Sequence, residues 1–248
     1  AYQDDPIGAL KTLKTIGYTE IEGIITSTAT TLRGQLDATG LRCPSLHFDG
    51  IGFEPGIEAA HTLGAHYIVS SMLPAIMQKE LAAKGKHAEQ DYSLDGAKRT
   101  AEYANRLGEK AKQAGLQYAY HNHHLEFSDV GGGQTFYDVL LKETRHDLVK
   151  FELDCGWVHV GGKNPADYFK ANPGRMPLMH AKDFLPGAGN GNYPGSELGR
   201  GTLDYQPIMA AADQAGLKHY FVEQKDPFSR ISQLDAARID YDYLRPGR

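Results

Sequence analysis

The sequence is poor in cysteine, has no excess of basic residues and contains no long apolar run. Its two cysteines, Cys43 and Cys155, cannot form a disulfide framework and fit no Cys-x-x-Cys metal pattern. The 26 Lys and Arg residues are outnumbered by 31 Asp and Glu residues, so the basic surface typical of nucleic-acid binding is missing. No apolar run approaches the roughly 18 to 20 residues of a membrane span. We therefore expect neither a nucleic-acid partner nor a membrane partner.

The first residues also lack the charged segment and the following apolar segment of a signal peptide. Because the sequence starts at Ala1 and not at Met, we expect that the N-terminus was processed or trimmed. The expected location is the cytoplasm by default, or the periplasm if a signal segment was removed before Ala1.

What is present is the composition of an ordinary globular protein, with 41% hydrophobic and 23% charged residues. Along the chain one unit recurs: an amphipathic helical segment, a glycine or short turn, and a short β-rich run. The helical segments predicted in this way are 6–15, 32–38, 57–63, 93–114, 136–143, 165–170 and 205–215. The β-rich runs that follow them are 18–24, 41–48, 65–70, 116–121, 148–154, 176–180 and 217–223.

This alternation indicates right-handed βαβ units and a parallel sheet. The repeat begins with a helix and contains seven strands, whereas a closed (β/α)8 barrel of about 250 residues has eight. We therefore predict an α/β fold, one TIM-barrel domain over residues 1–248 whose first strand is missing from the N-terminus of this numbering. An open doubly wound sheet is the alternative, but no Gly-x-Gly-x-x-Gly follows a strand.

A seven-stranded barrel would leave two edge strands, 18–24 and 220–223, without a partner. Because an unpaired edge promotes association, we expect a segment from outside this numbering, or a partner chain, to cover it. A homo-oligomer is therefore one of the arrangements we expect.

Polar side chains stand at the ends of five predicted strands. They are His47, the run from His121 to Glu126, Asp154, His180 and Glu223. In a parallel barrel these strand ends meet at one rim, where active sites are found. Carboxylate oxygens with one imidazole nitrogen suit Mn²⁺, Mg²⁺, Co²⁺ or Zn²⁺, so Asp154, His180 and Glu223 are predicted to form a divalent-metal site. Such an ion could chelate two sugar oxygens and polarise a carbonyl.

Four segments together resemble the xylose-isomerase-like TIM-barrel superfamily, and in particular its sugar phosphate isomerase/epimerase branch. The segments are 120–127, 152–157 followed by 161–165, 174–175 with 180–183, and 221–224. The resemblance implies metal ligands at Asp154, His180 and Glu223. It also implies substrate contacts at Lys182, Trp157 and Arg175, and we expect a further one at His47.

One departure from the family pattern bears on mechanism. Ketose 3-epimerases of the superfamily carry a metal-bound glutamate at the end of the fifth strand, where this chain has His121 and His123. Glu126 is displaced into the following loop, and we expect it to reach back as a fourth metal ligand. A strand-end imidazole, His121 or His123, is then predicted to be the catalytic base, with Lys182 as the acid. Glu223, on the last strand, is predicted to be a catalytic residue as well as a metal ligand.

The resemblance and the strand-end residues together predict an enzyme that takes a sugar as its small-molecule substrate. The first hypothesis is a divalent-metal-dependent sugar isomerase or epimerase that abstracts a proton α to a carbonyl. The alternative is a lyase or hydratase that dehydrates an inosose or eliminates from a 3-keto-glycoside. A non-catalytic sugar-binding barrel is an alternative of another class, and an apurinic endonuclease is disfavoured because no multi-zinc ligand set is evident.

Overall fold

The computed structural model of the chain is built around a curled sheet of seven parallel strands. It describes residues 4–24, 28–83, 90–187, 189, 191–224 and 231–245. The sheet strands are β1 (Gly23–Ile24), β2 (Ser45–His47), β3 (Tyr67–Ser71), β4 (Gln117–His121), β5 (Val149–Asp154), β6 (Leu178–Ala181) and β9 (His219–Val222). Two further strands, β7 (Asp183–Phe184) and β8 (Gly195–Ser196), pair antiparallel outside the sheet.

Helices connect the strands in sequence. They are α1 (Pro6–Ile16), α2 (Ala29–Thr39), α3 (Phe53–Leu63), α4 (Leu73–Ala83), α5 (Leu94–Gln113), α6 (Phe136–Glu143), α7 (Cys155–Val160), α8 (Pro165–Ala171), α9 (Tyr205–Ala215) and α10 (Gln233–Leu244). A short 3-10 helix spans Leu125–Phe127. Among the residues described, no helix is long and apolar enough to cross a membrane.

The strand order is β1-β2-β3-β4-β5-β6-β9, with each strand parallel to its neighbours. A strictly sequential order is that of a TIM barrel, whereas a doubly wound sheet reverses its order partway. The prediction of seven parallel strands in a TIM-barrel arrangement is therefore confirmed.

The two ends of this order are β1 and β9. β1 is shorter than the predicted strand: Glu20 forms an isolated bridge with Arg42, and regular pairing begins at Gly23. Ile24 on β1 is 66% exposed and Tyr220 on β9 is 41% exposed. The edges therefore present apolar side chains, and their coverage by another segment stays a prediction.

Local sequence signals explain where several helices begin and end. Thr135 caps α6 through a reciprocal capping box with Asp138, so α6 has the predicted bounds. α3 ends at Gly64 and α9 at Gly216, whose φ angles of 73° and 91° are inexpensive for glycine alone. The helices α4, α7 and α10 were not predicted.

The main core lies between the sheet and the helices. It contains fully buried residues such as Leu36, Leu46, Ile68, Tyr118 and Phe151. The alternate strand residues Val69 and Ala119 belong to a second, smaller cluster with Leu178 and Phe221. Because neighbouring residues on a strand point to opposite faces, the second cluster fills the inner face of the sheet.

The close contact between α5 and the chain before β5 gives a stability test. A Cβ added at Gly108 would lie 2.6 Å from the backbone oxygen of Leu148, so Gly108→Ala should destabilise the fold by about 1–3 kcal/mol. Gly34 lies at an exposed position of α2, and no atom lies within 4 Å of an added Cβ. Gly34→Ala should therefore raise the free energy of unfolding by about 0.5–1 kcal/mol. Urea unfolding measures both, and equal effects of the two substitutions would contradict this account.

Candidate active site

The carboxyl ends of the strands bring a group of carboxylates and imidazoles to one end of the sheet. The members of the group are Glu22, His47, His121, Glu152, Asp154, His180 and Glu223. They divide into two sets that share His180. We call Asp154, His180 and Glu223 the rim site. We call Glu22, His47, His121, Glu152 and His180 the inner cluster, because Glu152 lies two residues before Asp154 on β5 and so deeper in the barrel.

In the rim site, one potential ligand atom from each of the three residues lies within 4.8 Å of the other two. His180 Nδ1 is 2.7 Å from Glu223 Oε2 and 4.0 Å from Asp154 Oδ2. Lys182 Nζ lies 3.1 Å from Asp154 Oδ2 and 2.8 Å from Glu223 Oε1. The three predicted metal ligands therefore converge, and an ammonium group sits beside them.

The charges of the rim site stabilise one another. Burial alone would raise the pKa of Glu223, but hydrogen bonding to His180 and the charges of His180 and Lys182 hold that pKa far below its usual range. Burial raises the pKa of Asp154 against the opposing effect of Lys182. Burial would lower the pKa of Lys182, but Asp154 and Glu223 outweigh it and raise that pKa. Lys182 therefore stays protonated and compensates the carboxylate charge.

The inner cluster is centred on Glu152, whose side chain is 0% exposed. Glu152 Oε2 lies 3.0 Å from His47 Nε2, 2.9 Å from His121 Nδ1 and 3.3 Å from His180 Nε2. Glu22 Oε2 lies 2.7 Å from His180 Nε2 and 3.2 Å from His47 Nε2. Three imidazoles and two carboxylates thus meet in one place inside the barrel.

Glu22 and Glu152 were not among the predicted site residues. Glu22 immediately precedes β1 and lies inside the predicted strand 18–24, so a search for polar residues at strand ends does not single it out. Glu152 lies within β5 between apolar residues, a pattern more often seen for an internal polar group than for a ligand.

Burial and mutual repulsion set the charges of the inner cluster. Burial and the neighbouring Glu22 raise the pKa of Glu152 to about 7. Burial would lower the pKa of His47 and of His180, but the adjacent carboxylates outweigh it and raise both pKa values well above the usual range. Burial and the neighbouring imidazoles lower the pKa of His121.

His123 and Trp157 belong to an aromatic wall beside the rim site. The ring centroid of His123 lies 5.6 Å from that of Trp157, and Lys182 Nζ lies 5.2 Å above the same indole. His124 stacks on Trp157 at 5.2 Å, and its Nε2 lies 2.9 Å from the hydroxyl of Tyr193. Burial and the charge of Lys182 lower the pKa of His123 to about 4, so its imidazole is neutral at physiological pH.

The structure does not bring Glu126 to the rim site. The 3-10 turn over Leu125–Phe127 points its carboxylate back at β4. There Glu126 accepts hydrogen bonds from the Tyr120 hydroxyl at 2.6 Å and the His123 backbone N–H at 3.0 Å. In this position Glu126 stabilises the loop that carries His123. Its carboxylate is not placed to be a fourth ligand of a metal ion at the rim site.

Arg175 also lies away from the site. It precedes β6, at the opposite end of the sheet from the strand carboxyl ends. Its guanidinium donates to the Leu141 carbonyl and the Thr144 hydroxyl, each at 2.8 Å, and stacks over Phe151. The prediction that Arg175 contacts the substrate is therefore corrected: its guanidinium is engaged in packing and hydrogen bonding away from the site.

A cavity of about 630 Å³ opens onto both sets of residues. Its polar wall is lined by Glu22, His47, His121, His123, His180 and Glu223. It continues between β1 and β9 toward α1 and α10, where Leu13, Tyr220 and Leu234 make the wall apolar. Small molecules and ions can therefore reach the imidazoles and carboxylates from solvent.

Known proteins resemble this chain in sequence and in fold. Inosose dehydratase from Lacticaseibacillus casei is 27% identical over 187 residues, which cover 67% of this chain and 60% of that enzyme. The chain thus spans 45–60% of the length of the curated relatives it matches.

A solved sugar phosphate isomerase/epimerase from Parabacteroides distasonis is 24% identical, with a TM-score of 0.78 over 98% of this chain and 88% of that one. The structure of the IOLI protein with a bound zinc atom is 17% identical, with a TM-score of 0.68 over 95% of this chain and 90% of that one. The family model for the xylose isomerase-like TIM barrel matches residues 10–245. The chain therefore belongs to the xylose isomerase-like TIM barrel family.

Proposed function

We propose that this protein is a divalent-metal-dependent lyase that removes water from a ketone of the inosose or keto-sugar class. The observation that carries the proposal is the pairing of two kinds of group in one cavity. The rim site offers a carboxylate–imidazole–carboxylate ligand set, and His123 offers a neutral imidazole in the same cavity wall.

The rim residues fit a divalent cation. Two carboxylate oxygens and one imidazole nitrogen within 4.8 Å of one another form a donor set that Mn²⁺, Co²⁺, Zn²⁺ and Mg²⁺ accept. Asp154 and Glu223 supply two negative charges at a largely buried position, where Lys182 balances one of them. The chemistry that an ion supplies at such a set is polarisation of a substrate carbonyl, which makes the neighbouring C–H more acidic.

His123 is the group suited to move the proton. Its pKa of about 4 keeps the imidazole neutral, which is the form that accepts a proton from the carbon next to the carbonyl. Among the residues described, no hydrogen-bond partner contacts its Nδ1. His121, in contrast, has its Nδ1 engaged at 2.9 Å by Glu152.

The same imidazole can serve both proton transfers of an elimination. An imidazolium ion with a depressed pKa gives up its proton readily. His123 can therefore pass the proton taken from the α carbon to a hydroxyl leaving the β carbon, so that one water is released and a carbon–carbon double bond forms. Lys182, held protonated between Asp154 and Glu223, contributes positive charge near the carbonyl rather than a proton.

The relatives support a lyase. Inosose dehydratases are among the curated proteins that match this chain, at 25–27% identity. A sugar isomerase or epimerase, the first hypothesis from the sequence, would use the same proton abstraction but would conserve the substrate's mass.

Incubation of the metal-loaded protein with inososes, ketoses and 3-keto-glycosides, followed by mass spectrometry, separates these reactions. Isomers formed without loss of water would overturn the lyase proposal.

Metal binding gives the first prediction. Protein stripped with a chelator should gain thermal stability as Mn²⁺ is added, because an ion that binds the folded state alone raises the midpoint of unfolding. Asp154→Asn and Glu223→Gln should reduce this gain, since each removes a charged ligand. Glu102→Gln, on an exposed part of α5, is the matched control and should respond like the natural protein. An unchanged midpoint in the natural protein would refute a metal site.

Proton transfer gives the second prediction. Exchange of solvent deuterium into a bound inosose should fall by roughly 100-fold or more in His123→Ala, because loss of a general base commonly costs that much. Metal content should stay that of the natural protein. His66→Ala removes an exposed imidazole and serves as the control. Normal exchange in both His121→Ala and His123→Ala would show that these imidazoles are structural.

A further inference from the structure

We propose that the inner cluster is a second divalent-cation site, joined to the rim site through the two ring nitrogens of His180. The inference concerns ion binding by Glu22, His47, His121, Glu152 and His180, and it does not depend on which reaction the protein catalyses.

The first observation is that potential ligand atoms of four residues converge. Three imidazole nitrogens, from His47, His121 and His180, lie 2.9–3.3 Å from Glu152 Oε2. One potential ligand atom from each of these four residues lies within 4.8 Å of the other three. Imidazole nitrogens gathered around a carboxylate oxygen form a donor set that a transition-metal ion accepts.

The second observation concerns charge. Glu152 is fully buried, and in the described parts of the chain its ion-pair partners are imidazoles, with no ammonium or guanidinium group among them. Its second oxygen, Oε1, has no hydrogen-bond partner among the same residues. A buried carboxylate needs local compensation, and a buried unpaired oxygen is costly. One divalent cation would neutralise Glu22 and Glu152 together and displace the protons that His47 and His180 otherwise share with these carboxylates.

The third observation is the orientation of His180. Its Nδ1 faces the rim site, 2.7 Å from Glu223 Oε2, while its Nε2 faces the inner cluster, 2.7 Å from Glu22 Oε2. The ring is held in this position by β6, since His180 pairs in register with Asp154 on β5 and with Phe221 on β9. Each nitrogen therefore faces a different site, and once uptake of both ions has released the protons of the ring to solvent, His180 bridges the ions as an imidazolate.

Supporting contacts orient the inner ligands as in known metal sites. His47 Nδ1 lies 3.2 Å from Asp49 Oδ2, so its Nε2 is directed at Glu152. The Ser45 hydroxyl donates a short hydrogen bond to Glu22 Oε1, which leaves Oε2 to face the imidazoles. A carboxylate behind a ligating imidazole fixes the ring's tautomer and orientation. The cavity reaches Glu22, His47, His121 and His180, which gives an ion a route of entry.

The two sites differ in the ions they should prefer. The inner cluster is rich in imidazole nitrogen, which suits Zn²⁺ and Co²⁺, whereas the rim site is richer in carboxylate oxygen, which also suits Mn²⁺ and Mg²⁺. The structure therefore predicts a centre that takes up two ions with different selectivity.

Metal stoichiometry tests the proposal without an activity assay. The chelator-stripped full chain is dialysed against excess Co²⁺, separated from free ion and measured by elemental analysis. The natural protein should hold two ions per chain, with magnetic coupling between them in the electron paramagnetic resonance spectrum. Glu152→Gln and His47→Ala should each hold one and lose the coupling. Glu223→Gln should also hold one, while the control His66→Ala should hold two.

The outcomes are distinct. One ion in the natural protein that persists in both Glu152→Gln and His47→Ala would show that the inner cluster is an ion-pair network, and would overturn the proposal. One ion that disappears in those variants would overturn the two-site arrangement. Circular dichroism identifies a variant that fails to fold, in which case the other inner-cluster variant decides. Two bound ions with no dehydration of any ketone would refute the proposed lyase and leave this inference standing.

Discussion

The charge of one buried carboxylate, Glu152, determines how the ends of the strands are composed. At 0% exposure it requires polar partners within a few ångströms, and these are the imidazoles of β2, β4 and β6. The parallel register determines how deep in the barrel these imidazoles lie, since His121 pairs with Glu152 and His180 pairs with Asp154. The remaining polar side chains are arranged around this centre: Glu22 completes it, and the rim residues lie one layer nearer to solvent.

Features that depend on local chemistry could be predicted from the sequence. Residues 136–143 and 205–215 form helices with the predicted bounds because a capping box and a terminal glycine mark them within the segment itself. The convergence of Asp154, His180 and Glu223 follows from strand ends in a parallel sheet, which needs no knowledge of side-chain packing. The length of β1 was overestimated because only Gly23 and Ile24 pair regularly with β2, whereas Glu20 bridges Arg42 in isolation.

Features that depend on contacts between distant segments could not be predicted. Glu126 is only five residues beyond His121, but a 3-10 turn directs its carboxylate at Tyr120 rather than at the rim. Arg175 precedes its strand, and its role depends on carbonyl and hydroxyl groups near the end of α6. Glu22 acquires its importance from His180, which is 158 residues away in sequence.

The aromatic wall has an optical consequence, because Trp157 is the single tryptophan of the chain. Its indole stacks against His124, lies beneath the ammonium of Lys182 and contacts Phe184. Since Lys182 in turn bonds Asp154 and Glu223, a charge arriving at the rim alters the electric field across this ring. Tryptophan emission from this protein therefore originates at the mouth of the barrel and carries no background from the rest of the fold.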